Sequence, residues 1–159
     1  MTQLEAGEDL KLDAYLPYRL SVASNAVSGL IARAYQDRFG LTIPQWRLVC
    51  VLAEDGPATQ NQIVARTVMD KVTVSRAAQG LLNRGFVDRS DHHADGRSHV
   101  LALTPEGARL HSEIAPLALA YEAALISGLT PEEVTLLKRL LGRLQTAAGA
   151  LVGEAQPPP

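Results

Sequence analysis

Residues 59–100 read TQNQIVARTVMDKVTVSRAAQGLLNRGFVDRSDHHADGRSHV, and the order of patterns in this stretch decides the fold. Thr59 and Gln62 form a capping box, in which hydroxyl and carboxamide reciprocally satisfy free N–H groups at a helix start. The helix they open is short, anchored by Ile63 and Val64, and fades near Val68. Asp70, a good N-cap, starts a second helix that runs to Arg84 and stops at Gly85. Residues 86–90 and 100–103 are β-like and bracket DHHADGRS, where Ala94-Asp95-Gly96-Arg97 supplies hairpin turn chemistry. Two short helices followed by a hairpin are the layout of a winged module that reads DNA.

The second helix separates into two faces when residues 70–84 are placed at about 100° each. Val74, Ala77, Ala78 and Leu81 form the buried side. Val72, Arg76, Gln79 and Asn83 lie opposite, with Thr73 and Ser75 on the flanks, and Gly80 is read as facing outward. Arginine can bind guanine bidentately, glutamine can pair with adenine, and valine or threonine methyls can meet a thymine methyl. Lys71 and the first-turn N–H groups suit phosphates, as do Thr59, Gln60 and Gln62 at the start of the preceding helix. A solvated helix face would look the same in isolation; the hairpin that follows is what favours DNA.

The flanks read as long apolar helices. Residues 12–38 carry Leu16, Leu20, Ala23, Val27, Leu30 and Ala34 at alternating spacings of four and three. That stripe suits a helix of a second subunit or core packing within the chain. Gly40 ends this helix as a left-handed cap. Thr42 and Pro44 open the next, whose Trp46, Val49 and Leu52 point inward until Asp55-Gly56-Pro57 breaks it. Thr104-Pro-Glu106 restarts helix, with Leu110, Ile114, Leu117, Tyr121 and Leu125 along one side. Pro116 removes the hydrogen bond to the carbonyl of Ser112, so a kink and a flex point are expected there. Thr130-Pro-Glu-Glu133 is another capping box, leading a stripe of Val134, Leu137, Leu141, Leu144 and Ala148. The organisation that follows is a tail at 1–11, helical dimerisation segments at 12–40 and 104–148, a winged module at 41–103, and a disordered tail at 149–159. The fold class is mainly α with a small β-hairpin wing, α+β in the strict sense.

Composition narrows the function. A net charge of −2 argues against a protein that coats nucleic acid or membrane through charge alone. Within residues 59–100, however, six Lys/Arg face four acids, so the segment is +2 and the remainder −4. The single cysteine, Cys50, cannot form an intrachain disulfide, and its apolar neighbours make it a packed, inert thiol in a reducing compartment. No apolar run reaches the length of a membrane span, so a soluble, cytoplasmic protein with no membrane partner is expected. His92, His93 and His99 suit a phosphate-facing wing better than a metal centre, because adjacent histidines rarely aim at one ion. No nucleophile elbow, phosphate loop, dinucleotide fingerprint or zinc-hydrolase motif appears. Neither an enzyme nor a bound cofactor or metal is expected.

DKVTVSRAAQGLLNRGFVDRS, followed by Asp95-Gly96-Arg97 and by LALTPEG at 101–107, resembles the multiple-antibiotic-resistance regulator (MarR) family. The resemblance spans about residues 12–148, including Ile43-Pro-Gln-Trp46. It implies a mostly helical homodimer whose first and last two helices intertwine. Each subunit would present one winged helix-turn-helix to half of a pseudo-palindromic operator in double-stranded DNA. The 70–84 helix would enter the major groove, and Arg97, oriented by Asp95, would reach the minor groove. The family's peroxide-sensing branch uses a cysteine near the start of the first helix, and none stands there. The family's effector region points to Tyr18, Arg19, Ser24, Trp46, Arg47 and His111. An arginine beside aromatic surface suits an anionic aromatic effector, a phenolic acid or its CoA thioester. Against this stands a packed Trp46 with arginines in ordinary surface ion pairs. The expectation is thus a homodimeric, ligand-responsive repressor. A ligand-independent or redox-responsive regulator, or a protein–protein adaptor that binds no DNA, is the alternative.

Overall fold

A computed structural model describes residues 9–91 and 99–154. The chain divides into two compact units between Tyr121 and Glu122.

The first unit opens with a single 3-10 turn at Leu12–Ala14 and continues into α1 (Leu16–Ala32) and a one-turn α2 (Gln36–Phe39). The sequence pattern predicts one helix over 12–38; the structure breaks it twice. Pro17 sits in the first turn of α1, where its missing N–H is harmless. Further inside a helix it would remove a backbone bond, so Tyr15 is extended instead (φ −80°, ψ 109°). At the other end Ala34 and Tyr35 donate to the carbonyls of Ile31 and Ala32, a tightened last turn that buries both residues. Gly40 then adopts the left-handed conformation expected of it (φ 63°).

α3 (Ile43–Asp55) and α4 (Gln60–Thr67) each begin with a complete capping box, Thr42 with Gln45 and Thr59 with Gln62. α5 (Lys71–Asn83) begins on the Asp70 cap. Trp46, Val49 and Leu52 are buried, as are Val74, Ala77, Ala78 and Leu81. The 3.6-residue period therefore placed the inner faces of α3 and α5 correctly. Gly80 does not face outward: a Cβ there would collide with the Gln45 carboxamide of α3.

Between α4 and α5, Val68 is left-handed (φ 58°) and 74% exposed. That conformation costs an L-residue about 1–2 kcal/mol, and little burial of its side chain offsets it. The turn holds because Thr67 Oγ1 donates to the carbonyl of Ile63 and Met69 is buried beyond it.

Three antiparallel strands form one sheet in the order β1 (Ala58–Thr59), β3 (His99–Leu103), β2 (Val87–Asp91). The two-residue β1 is absent from the sequence reading; it pairs Ala58 with Leu101 and Thr59 with Val100. Such pairing is set by a partner some forty residues away, and two residues carry no period. The β2–β3 register sets Val87 opposite Leu103 and Arg89 opposite Leu101. Buried Val87 and Leu101 thus join the sheet to the core.

α6 (Pro105–Ile126) leaves the sheet at Thr104 and contributes Leu110 and Ile114 to that core. The helix continues through Pro116. In the second unit α7 (Pro131–Glu154) starts on the expected Thr130–Glu133 box. It runs past Ala148, where a tail is expected, into Gly153 and Glu154. Among residues 131–153 none is buried, and Leu136, Leu137, Leu140, Leu141 and Leu144 are each 40–47% exposed. Among the described residues no single helix is long and apolar enough to cross a membrane.

Candidate nucleic-acid interface

The outer face of α5 carries Lys71, Val72, Ser75, Arg76 and Gln79, all exposed. Thr73 is half-buried, because its N–H and hydroxyl both donate to the Asp70 carboxylate at 2.8 and 2.7 Å. The cap therefore occupies part of the helix N-terminus that the sequence reading left open to phosphate. Lys71 remains exposed beside it.

Asp70 feels this arrangement. Hydrogen bonds from the Thr73 N–H, then from the Thr73 hydroxyl, hold its carboxyl below the usual aspartate value of 3.8. A depressed folded-state value means the cap's stability is fully present above the unfolded pKa, about 4, and is lost as pH falls through the folded value. Wild type should therefore melt above Asp70→Asn at pH 7, with the two curves converging at pH values below about 4. A gap in Tm that stays constant down to acid unfolding would show that the carboxylate is not the cap.

Side-chain partners sort the cations of this module. Arg66 Nε and Nη2 are each 3.2 Å from Asp55 and Glu54, respectively, and Arg84 donates to the carbonyls of Gly40 and Phe39. Arg76 has neither an ion pair nor a hydrogen bond among the described residues. With Lys71 it is a long cation on this exposed face that no internal partner holds among the described residues. Gln79 Nε2 donates to Asn83 Oδ1 at 2.8 Å. That bond orients the carboxamide and leaves its oxygen and second N–H free, the pair that a bidentate contact to adenine needs. Thr59 and Gln62 are engaged in their capping box at 2.8 and 3.2 Å, and Gln60 is half-buried in the first turn of α4. Asp95 and Arg97, with His92 and His93, lie outside the described residues. At the wing stem His99 Nδ1 lies 3.1 Å from Asp91 Oδ1. Among the described residues no cluster of three His, Cys, Asp or Glu side chains is placed to hold a metal.

The candidate effector residues fall into two groups. Trp46 stacks on both Tyr35 and His111, with ring centroids 5.6 Å apart in each pair. Tyr35, missed from sequence, is buried; burial raises the pKa of its hydroxyl, while the nearby Arg47 cation pulls it down. Arg47 itself is exposed, and its charge acts on the Tyr35 hydroxyl alone among these rings. Tyr18, Arg19 and Ser24 lie exposed on α1. No hydrogen bond, ion pair or ring contact joins those three to the stack among the described residues. Cys50 is half-buried in α3, and burial together with Glu54 pushes its thiol up to about 11. It is protonated and sluggish near neutral pH.

A MarR family model matches residues 39–98, which takes in α3 through β2 and stops before β3. A probable transcriptional regulator from Pseudomonas aeruginosa is 31% identical, covering 84% of this chain and 99% of that one, with a TM-score of 0.75. The chain belongs to the MarR family. It is a DNA-binding transcriptional regulator with the family's winged helix-turn-helix. Two further relatives agree with the family assignment. The regulator BpsR from Bordetella bronchiseptica is 26% identical over 82% of this chain and 98% of its own, with a TM-score of 0.75. The HTH-type regulator YwoH from Bacillus subtilis is 28% identical over 123 residues, 76% of this chain and 89% of that protein.

Proposed function

We propose that this MarR-family chain is a homodimeric repressor that holds a pseudo-palindromic operator and releases it when a small anionic aromatic molecule binds. The observation that carries the reading is the α5 face, where Val72, Ser75, Arg76 and Gln79 stand exposed with Arg76 unpaired among the described residues. Base contact with these groups, the Thr73 methyl beside them, gives sequence preference; Thr59, Gln60, Gln62 and Lys71 position the backbone, and Arg97, oriented by Asp95, takes the minor groove. Dimerisation is supported by apolar surface that one copy leaves uncovered on α1 (Leu16, Val22, Val27) and on α7. A module of only +2 binds weakly alone; two half-sites about 34 Å apart, met together, supply the affinity.

The effector class rests on Trp46, His111 and Arg47, a ring stack with an exposed cation acting on its Tyr35 hydroxyl, with Tyr18, Arg19 and Ser24 on α1 completing the candidate set. BpsR is a regulator whose DNA binding responds to 6-hydroxynicotinic acid, itself an anionic aromatic. A ligand that prefers one spacing of the two reading helices shifts the population toward it. The redox alternative is disfavoured by the raised Cys50 pKa.

The test is binding of full-length protein to its own upstream DNA across a salt series, with sedimentation of the free protein. Steep salt dependence and a dimer are expected, with release by phenolic acids, 6-hydroxynicotinate or phenolic CoA thioesters. Salt-independent absence of binding would mean a protein–protein adaptor. Tight binding that no member of that panel reverses would overturn the effector class and leave a ligand-independent regulator.

A further inference from the structure

Arg84 closes α5 and reaches far back along the chain. Its Nη1 donates to the carbonyl of Gly40 at 3.0 Å and its Nη2 to that of Phe39 at 2.7 Å. The same guanidinium lies over the Phe86 ring, 4.9 Å from its centroid. Both acceptors stand at the C-terminal end of α2, where carbonyls lack helical partners. Two bonds and a ring contact from one planar group fix direction as well as distance, which a lysine ammonium cannot do.

We propose that Arg84 is a positioning residue that fixes the tilt of α5 against the α1–α2 segment, and so sets the spacing of the two reading helices in a dimer. The proposal rests on the dimeric reading above. α5 packs along its length through buried Val74, Ala77, Ala78 and Leu81. Apolar contacts of this kind are non-directional; Arg84 adds a directional tie at the helix end. That tie leads into the frame, since α2 joins α1 through buried Ala34 and Tyr35, and α1 carries the uncovered Leu16, Val22 and Val27. The reading residues lie on the N-terminal side of that tie. From Arg84 to Lys71 the helix spans about 20 Å, so a tilt of about 6° moves its start by about 2 Å. That exceeds half of the roughly 3.4 Å base-pair step. The sequence shows the arginine but not the role, because both partners lie more than forty residues away.

Duplexes that wild type selects from a randomised library fix the preferred half-site spacing. Variants of the best duplex with one or two base pairs inserted or removed at the dyad then measure spacing discrimination. Wild type should reject these by about tenfold or more. Arg84→Ala should keep its helicity and its dimer, bind the best duplex within about tenfold of wild type, and reject the misspaced ones by less than about threefold. Arg84→Lys should resemble alanine despite its charge, and serves as the test if the alanine variant does not fold. Unchanged discrimination in the folded variant, or equal weakening on every spacing, would overturn the positioning role. A wild-type chain that sediments as a monomer, or shows no spacing preference, would instead overturn the dimeric reading and this proposal with it.

Discussion

Replacing Gly107 by alanine should destabilise the protein by about 3 kcal/mol and lower Tm on the order of 10 °C. Gly107 is buried in the first turn of α6, and a Cβ on it would drive into the carbonyl of Phe86 and approach Leu103 Cδ2 to 3.1 Å. The leucine can rotate away; the carbonyl cannot. Phe86 O already accepts the Thr104 N–H at 3.1 Å, while Thr104 Oγ1 donates to Gly85 O at 2.7 Å and accepts the Gly107 N–H at 3.0 Å. These bonds clasp the turn after α5 to the start of α6, and moving Phe86 strains all of them. Alanine recovers at most about 1 kcal/mol of helix propensity, so the overpacking decides the sign. Thermal and urea melts with a matched Gly107→Ser variant would measure it, serine being worse than or equal to alanine. A Gly107→Ala variant as stable as wild type would mean that the chain relaxes freely at this junction.

The features legible in the sequence are those fixed by neighbours within one or two helical turns. Thr42, Thr59, Asp70 and Thr130 cap helices as their spacing to the third residue onward predicts. The buried face of α5 follows from its period. What escaped depends on distant partners. Gly80 lies on the flank between the two faces of α5, where rotation around the axis does not decide exposure; the Gln45 side chain of another helix does. Pairing of β1 depends on Val100 and Leu101. Tyr35 completes the ring stack on Trp46, yet nothing local marks it as more than an aromatic near a helix end. Pro17 marks the break before α1, within an otherwise continuous apolar stripe. Within the candidate interface, the exposed groups of α5 follow from its period, whereas the structure distinguishes Arg76 and Lys71 from cations already engaged. Arg66 answers to two acids and Arg84 to two carbonyls, so the attractive charge on the module is more localised than its composition suggests.

That localisation makes Arg76 the residue whose loss costs DNA recognition most. A bidentate arginine–guanine contact contributes about 1–3 kcal/mol of discrimination. Under the dimeric reading each operator contains two such contacts, so Arg76→Ala should cost about 2–6 kcal/mol, roughly thirtyfold to twenty-thousandfold in affinity. Helicity and Tm should not fall, because Arg76 is exposed and holds no partner among the described residues. The chemistry of the loss is separable by a second variant. Arg76→Lys keeps a phosphate-binding charge but not the planar fork. It should retain most affinity for a scrambled duplex and most of the salt dependence, while losing preference for the selected operator. Titrations of wild type and both variants on operator and scrambled duplex, at two or more salt concentrations, give each term. If alanine weakens both duplexes equally and lysine restores both, Arg76 binds phosphate, and sequence reading passes to Val72, Ser75 and Gln79. If instead operator preference vanishes in both variants while scrambled binding persists, the guanidinium itself reads a base, which is the role its unpaired position on α5 supports.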